Sequence, residues 1–337
     1  MNSGPRAVVF GCAGLELCAQ ERRFFAASQP WGAILFARNI ETPDQLRALT
    51  SDLRNVVGRD LPILIDQEGG RVQRMRPPHW REWLPALDQG VMARDPVRAM
   101  ALRGRLLAAE LRDVGIDVNC APLADIAGAQ THAVLRNRCY GETLREVVAR
   151  ARAMADGLLA GGVLPVLKHI PGHGRATLDS HLDLPVVDAS ADDLAATDFA
   201  AFSALRDLPL GMTAHLVFRA LDPAGPATTS PRMIRMIREE IGFAGLLLTD
   251  DISMQALRGA VTERAQAALA AGCDLVLHCN GDMTEMEALA DICPPLAGIS
   301  AQRSVAALAA RRGPDPVDLG ALEAEYRALL TPKDESV

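Results

Sequence analysis

Residues 164–181 read LPVLKHIPGHGRATLDSH. A short apolar run, Leu164 to Leu167, ends in Lys168 and His169, and Pro171-Gly172-His173-Gly174 then stops any strand or helix. Asp179, Ser180 and His181 close the segment. Ionisable groups resist burial unless they are paired. A buried strand that hands a Lys-His pair to a Gly-rich loop carrying two more histidines therefore reads as a polar site built at a strand's end.

Seven further apolar runs surround this one: Arg6–Phe10, Gly32–Phe36, Pro62–Ile65, Ile116–Cys120, Leu210–Ala214, Gly245–Thr249 and Asp274–His278. Each is continuously hydrophobic, the pattern of parallel strands covered on both faces. Helical periodicity lies between them. Thr42 is placed to cap a helix that begins with Pro43 and Asp44 and runs to about Val57. Other helices are predicted over Pro96–Val114, Leu144–Ala160, Ala191–Leu205, Pro231–Ile241 and Glu263–Ala271, the last stopped by Gly272. Eight strands alternating with helices predict an α/β fold, a (β/α)8 TIM barrel, with residues 1–337 as one domain and a frayed tail over 332–337. A doubly wound open sheet would concentrate its polar residues at one switch point. Here they follow many strands.

The bulk properties agree. Of 337 residues, 35 are Lys or Arg and 42 Asp or Glu, so the net charge of −7 speaks against a nucleic-acid surface. No apolar stretch approaches the roughly 20 residues that span a bilayer. Val9-Phe10-Gly11-Cys12 looks like a lipoprotein cleavage site, but the apolar segment before Cys12 is too short for a signal peptide. A cytoplasmic protein is expected. Its 7 cysteines are odd in number and scattered, which favours reduced thiols over disulfides or zinc.

In such barrels, chemistry sits just beyond the C-terminal ends of the strands. Those positions hold Asp66, Gln67 and Glu68; Asn119 and Asp125; Lys168 and His169; His215; Asp250 and Asp251; and His278 with Asn280. A ring of hydroxyl-binding side chains with few aromatics suits a small polar ligand. Asp250 and Asp251 allow one carboxylate to cap the following helix while the other acts. Asp179 and His181 form a D-x-H pair in which the carboxylate would fix the tautomer of an acid/base histidine. An incidental pair in a solvated loop is the alternative. A metal is not expected at His169, His173 and His181, because no carboxylate stands at ligand spacing. The Asp66–Arg71 run has paired glycines, but it lacks G-K-[ST] and opens with acceptors, which excludes a phosphate cradle.

The stretches LIDQEGGRVQR (64–74), NRCYG (137–141), KHIPGHGRATLDSH (168–181), MTAH (212–215) and LLLTDDISM (246–254) together resemble the signatures of family 3 glycoside hydrolases. More narrowly, they resemble the single-domain bacterial β-N-acetylglucosaminidases of peptidoglycan recycling. That resemblance implies a retaining enzyme with Asp250 as nucleophile and His181, assisted by Asp179, as acid/base. It also implies sugar contacts at Asp66, Arg74, Arg138, Lys168 and His169. No cofactor and no metal are implied, and the partner would be an N-acetylglucosamine-containing muropeptide met by a monomer. Gly172 and Gly174 would be hinges that carry His181 to the sugar. Ile170 stands where the family usually has Phe, and Arg136 where it often has Gly. Arg136 and Arg175 are expected to add positive charge at the mouth, favouring an acidic aglycone. Other family 3 glycosidases, a phosphorolytic variant, a metal-dependent hydrolase and a non-catalytic amino-sugar binder are the competing readings.

Overall fold

The computed structural model describes residues 4–178 and 184–331. Its strands are β1 (Arg6–Gly11), β2 (Pro30–Leu35), β3 (Ile63–Ile65), β4 (Val118–Asn119), β5 (Leu164–Ile170), β6 (Val186–Val187), β7 (Leu210–Thr213), β8 (Val217–Phe218), β9 (Leu246–Asp251) and β10 (Leu275–His278). Eight of them close a parallel barrel in the order β1-β10-β9-β7-β5-β4-β3-β2, while β6 and β8 pair in a separate two-stranded sheet. This is the (β/α)8 architecture predicted, with all eight predicted strands in it. Among the described residues, no helix is long and apolar enough to cross a membrane.

The continuous hydrophobicity of the strands has the cause expected of parallel sheets. Val9, Ile34, Leu64, Val118 and Val166 point into the barrel, where they pack with Leu248 and Leu277. Their neighbours Val8, Phe10, Ala33, Leu35, Ile63, Ile65 and Leu167 face outward under the helices. Gly32 in β2 lets the β3 side approach closely, since a Cβ there would stand 3.0 Å from the Pro62 carbonyl oxygen. At the N-terminal end, helix Gly298–Ala309 plugs the barrel: Ala307 joins the interior core, and the Trp31 indole donates to Ser304 Oγ at 2.7 Å. The C-terminal end stays open.

The helices follow their local signals. Thr42 Oγ1 accepts the Gln45 amide at 3.2 Å, starting helix Pro43–Val57, and Gly58 at φ +74° ends it. The predicted single helix over Ala191–Leu205 is two, Ala191–Ala196 and Asp198–Ala204. The break falls where Asp198 turns inward to accept Arg175 Nε at 2.7 Å. Strand β4 is shorter than predicted, Val118–Asn119, and just before it the Asp117 carboxylate accepts the Ile63 amide at 2.8 Å.

Candidate active site

Asp66 follows β3, Lys168 and His169 end β5, and Asp250 ends β9; with Arg74 and Arg138 from the loops, they line one cavity of about 230 Å³ at the C-terminal end of the barrel. Asp179 and His181 lie outside the described residues. The other six predicted site residues are thus brought together.

A buried ionic network organises one wall. Lys168 Nζ stands 2.8 Å from Asp66 Oδ1 and 2.6 Å from Glu68 Oε1. Arg74 Nη2 reaches Asp66 Oδ2 at 3.2 Å. Arg138 grips Glu68 through two parallel bonds of 2.9 and 2.8 Å. Burial alone would raise both carboxyl pKa values, but Lys168 and Arg74 outweigh it at Asp66, and Arg138 and Lys168 at Glu68, so both lie below the usual range. Burial is outweighed at Lys168 and Arg138 as well, which are pushed further up by the same carboxylates. Three cations face two carboxylates here, and Asp250 supplies the third. The Arg74 guanidinium also lies 5.0 Å from the centre of the Phe36 ring, which fixes its plane.

Asp125 holds the other wall. Its Oδ2 accepts from His169 Nδ1 at 2.7 Å, and its Oδ1 accepts the His173 amide at 2.6 Å. The two imidazoles meet edge to face, centres 5.3 Å apart. Burial, with His169 alongside, pushes the His173 pKa down to about 4. The Lys168–His169 peptide bond is cis.

Asp250 leaves β9 into the cavity, and its Oδ1 accepts the Asp251 amide at 2.8 Å. Burial would raise its pKa; His169 and His215, with that amide, bring it below the ordinary value. Neither Asp250 nor Asp251 caps the following helix, which begins only at Val261. Asp251 instead holds a turn, accepting from Ser253 N and Oγ at 3.1 and 2.8 Å and from the Cys279 amide at 3.3 Å. The expected helix cap is thus replaced by a turn.

Several expectations are corrected. Asn119 does not face the cavity; it brackets Gln67, with bonds of 3.0 and 3.1 Å to the amide and carbonyl. His278 points outward to Glu285 at 2.8 Å. Gly172 and Gly174 are buried and packed, a Cβ on Gly174 falling 2.0 Å from the Ile126 carbonyl oxygen, so neither is a free hinge. Thr177 and Leu178 are the first exposed residues after them. Arg175 is committed to Asp193 and Asp198 at 3.0 and 2.7 Å, and Arg136 to Glu142, so the extra charge expected at the mouth is spent within the protein.

The sequence reading did not assign Glu68 and Asp125, which were visible only as polar residues after strands. Nor did it find the apolar rim formed by Phe36, Val72, Leu135 and Met254. Behind the site, buried Arg103 donates to the Glu68 carbonyl and, at 2.7 Å, to Gln89 Oε1. The Tyr326 hydroxyl reaches that same oxygen at 2.8 Å from the helix Leu319–Leu330. Among the described residues, no cluster of three or more His, Cys, Asp or Glu is arranged to hold a metal ion.

Comparison with known proteins places this geometry. The chain matches the profile of the Glycosyl hydrolase family 3 N terminal domain over residues 15–311. A beta-hexosaminidase of Alkalilimnicola ehrlichii is 39% identical over 288 residues, 83% of this chain and 82% of that one. One from Methylococcus capsulatus is 38% identical over 320 residues, 93% of this chain and 94% of that one. Among solved structures, NagZ from Neisseria gonorrhoeae in complex with N-trifluoroacetyl-D-glucosamine is similar with a TM-score of 0.87 at 30% identity, covering 98% of this chain and 99% of that chain.

Proposed function

This chain belongs to glycosyl hydrolase family 3 and is a β-N-acetylhexosaminidase; from that premise we propose that it is a retaining exo-β-N-acetylglucosaminidase of peptidoglycan turnover. Its substrates are muropeptide fragments, GlcNAc-1,6-anhydro-MurNAc and its peptides, met by a monomer in the cytoplasm. One observation carries the mechanism: Asp250 enters a cavity whose facing wall is the Asp66–Lys168–Glu68–Arg138 network. The small cavity suits a terminal sugar, as does the amino-sugar derivative held by the Neisseria relative.

Because Asp250 Oδ1 is tied to the Asp251 amide, Oδ2 is the oxygen left to bond. It attacks the anomeric carbon as the glycosidic C–O bond breaks, and His181 passes its proton to the leaving oxygen. The sugar is left as an ester on Asp250. His181, now neutral, takes a proton from water, whose oxygen displaces the carboxylate and restores the configuration. Most retaining enzymes use a second carboxyl about 5–5.5 Å from the first. An imidazole in that role is never an anion set against the Asp250 carboxylate, and Asp179 keeps it basic. Asp66, with Lys168, Arg74, Arg138 and His169, holds the ring hydroxyls. The low pKa of Asp250 keeps it ionised and nucleophilic near neutrality.

The test is trapping. A 5-fluoro N-acetylglucosaminyl fluoride is expected to label Asp250 in a peptide mass map, and Asp250→Ala to abolish turnover. His181→Ala is expected to slow natural disaccharides far more than aryl glycosides, whose leaving groups need little protonation. Label on another residue ends the nucleophile assignment, and equal damage to both substrate types ends the acid assignment. Products formed with and without phosphate separate hydrolysis from phosphorolysis.

A further inference from the structure

Behind Asp250 runs a buried polar chain that makes no contact with the cavity. It begins at Thr213, the last residue of β7, continues through Thr228 in the 3-10 turn Ala227–Thr229, and reaches His215 and the Asp251 backbone. Thr213, Thr228 and His215 are each 0% exposed. Such groups are costly to bury unless every partner is supplied, so where their protons lie is determined by what surrounds them.

His215 Nε2 lies 3.0 Å from the Asp251 carbonyl oxygen, which can only accept, so Nε2 carries the hydrogen. Burial holds the imidazole below its ordinary pKa; the ring is neutral at pH 7 and Nδ1 is bare. Thr228 Oγ1, 2.7 Å from Nδ1, must therefore donate to it. That hydroxyl has one proton, which it cannot also give to the Ala214 carbonyl at 3.1 Å. Thr213 Oγ1, at 2.8 Å, then donates to Thr228. The chain is directional: Thr213 to Thr228, Thr228 to His215, His215 to Asp251.

At its far end, residue 251 is held at three places. Its amide donates to Asp250 Oδ1 at 2.8 Å, its carbonyl accepts from His215, and its carboxylate accepts from Ser253 and the Cys279 amide. We infer that Thr228 is a positioning residue: the Asp251 carbonyl sets His215 as the Nε2–H tautomer, and the Thr228 hydroxyl, by donating to the bare Nδ1, holds that ring against the Asp251 backbone and so the geometry in which Asp250 presents Oδ2 to the sugar. The inference rests on Asp250 as nucleophile. In the opposite tautomer a bare Nε2 would face the carbonyl oxygen, and the β9 terminus would shift away. A misplacement of about 1 Å at a reacting group can cost on the order of 100-fold in rate.

Long-range 1H–15N NMR of the uniformly labelled wild-type enzyme, with His215→Gln to assign the ring, reads the tautomer directly and needs no Thr228 variant. Nε2–H is expected; a wild-type Nδ1–H ring overturns the proposal. Thr228→Val, isosteric but without the hydroxyl, should keep that tautomer yet leave Nδ1 without a donor, read as a downfield shift of its 15N resonance. It should also slow both kcat and trapping by the 5-fluoro sugar by about 10- to 100-fold with KM little changed, and Thr228→Ser should restore the Nδ1 shift and the rates. A Thr228→Val enzyme that folds yet is trapped within about twofold of the wild-type rate would overturn it. Failure of the underlying reading looks different: the fluoro sugar would then miss Asp250 in the wild-type enzyme while the NMR result stood.

Discussion

At the scale of single residues, Asp125 shows how one carboxylate can set two histidines to opposite uses. It supports His169 through a ring nitrogen and His173 only through the backbone amide, so it orients one imidazole and anchors the loop of the other. The His173 ring, buried and beside His169, is held down at about 4 against an ordinary 6.5. Above pH 6.5 folded and unfolded chains agree that this ring is neutral. As the pH falls toward 4, only the unfolded chain takes the proton, and folding loses roughly 1.4 kcal/mol per pH unit, about 3 kcal/mol in all. Urea midpoints measured at pH 7 and pH 4.5 should therefore differ less for His173→Asn than for the wild-type protein. Equal differences would place the acid sensitivity elsewhere. Asp66, Glu68 and Asp250, whose pKa values are lowered, add their own losses only below about pH 4.

Among elements, the helices Pro96–Asp113 and Leu144–Ala160 make the tightest crossing. Gly104 and Gly157 meet there: a Cβ on Gly157 would stand 2.3 Å from the Ala101 carbonyl oxygen, and one on Gly104 2.4 Å from that of Met154. Gly157→Ala is expected to cost roughly 1–3 kcal/mol through overpacking, visible as a lowered Tm with kcat unchanged, because the crossing is remote from the cavity. The eight barrel strands could be read from the sequence because double-sided burial writes itself as unbroken apolar runs. Helix Pro43–Val57 was legible because Thr42 and Pro43 announce it. Helix Ala19–Ser28 was missed: Cys18 caps it, its sulfur accepting the Glu21 amide, and cysteine is not a residue that signals a cap. Helix Gly298–Ala309 was missed because its buried contribution is little more than Ser304 and Ala307, too faint for a periodic stripe. The charged site residues were legible through motif and strand position together. The apolar rim was not, since Phe36 or Met254 in isolation look like any core residue, and only closure of the barrel turns them toward a ligand.

Across the whole molecule, the two ends of the barrel divide the work. The open end carries the cavity, while buried carboxylates knit the closed end. Asp274 accepts from Arg238 at 2.6 Å, the Leu247 amide at 2.9 Å, Ser300 Oγ at 2.6 Å and Arg303 at 3.0 Å. Asp117 likewise takes Arg54 at 3.0 Å, together with Arg311. Removing one member of a buried ionic cluster typically costs about 3–5 kcal/mol. Asp274→Ala should therefore unfold at markedly lower denaturant, yet hydrolyse with wild-type kcat per folded molecule. A fallen kcat in the fully folded variant would show that the two ends are not independent. A different tie joins the helix Leu319–Leu330 to the residues behind the site, from Tyr326 through Gln89 and Arg103 to the Glu68 carbonyl. Residues 319–330 leave the ribosome after every barrel strand has been made, so a nascent chain can close its cylinder before the far end of that tie exists. The support behind Glu68 is therefore completed after the cylinder, and a growing polypeptide should gain its shape before that brace tightens.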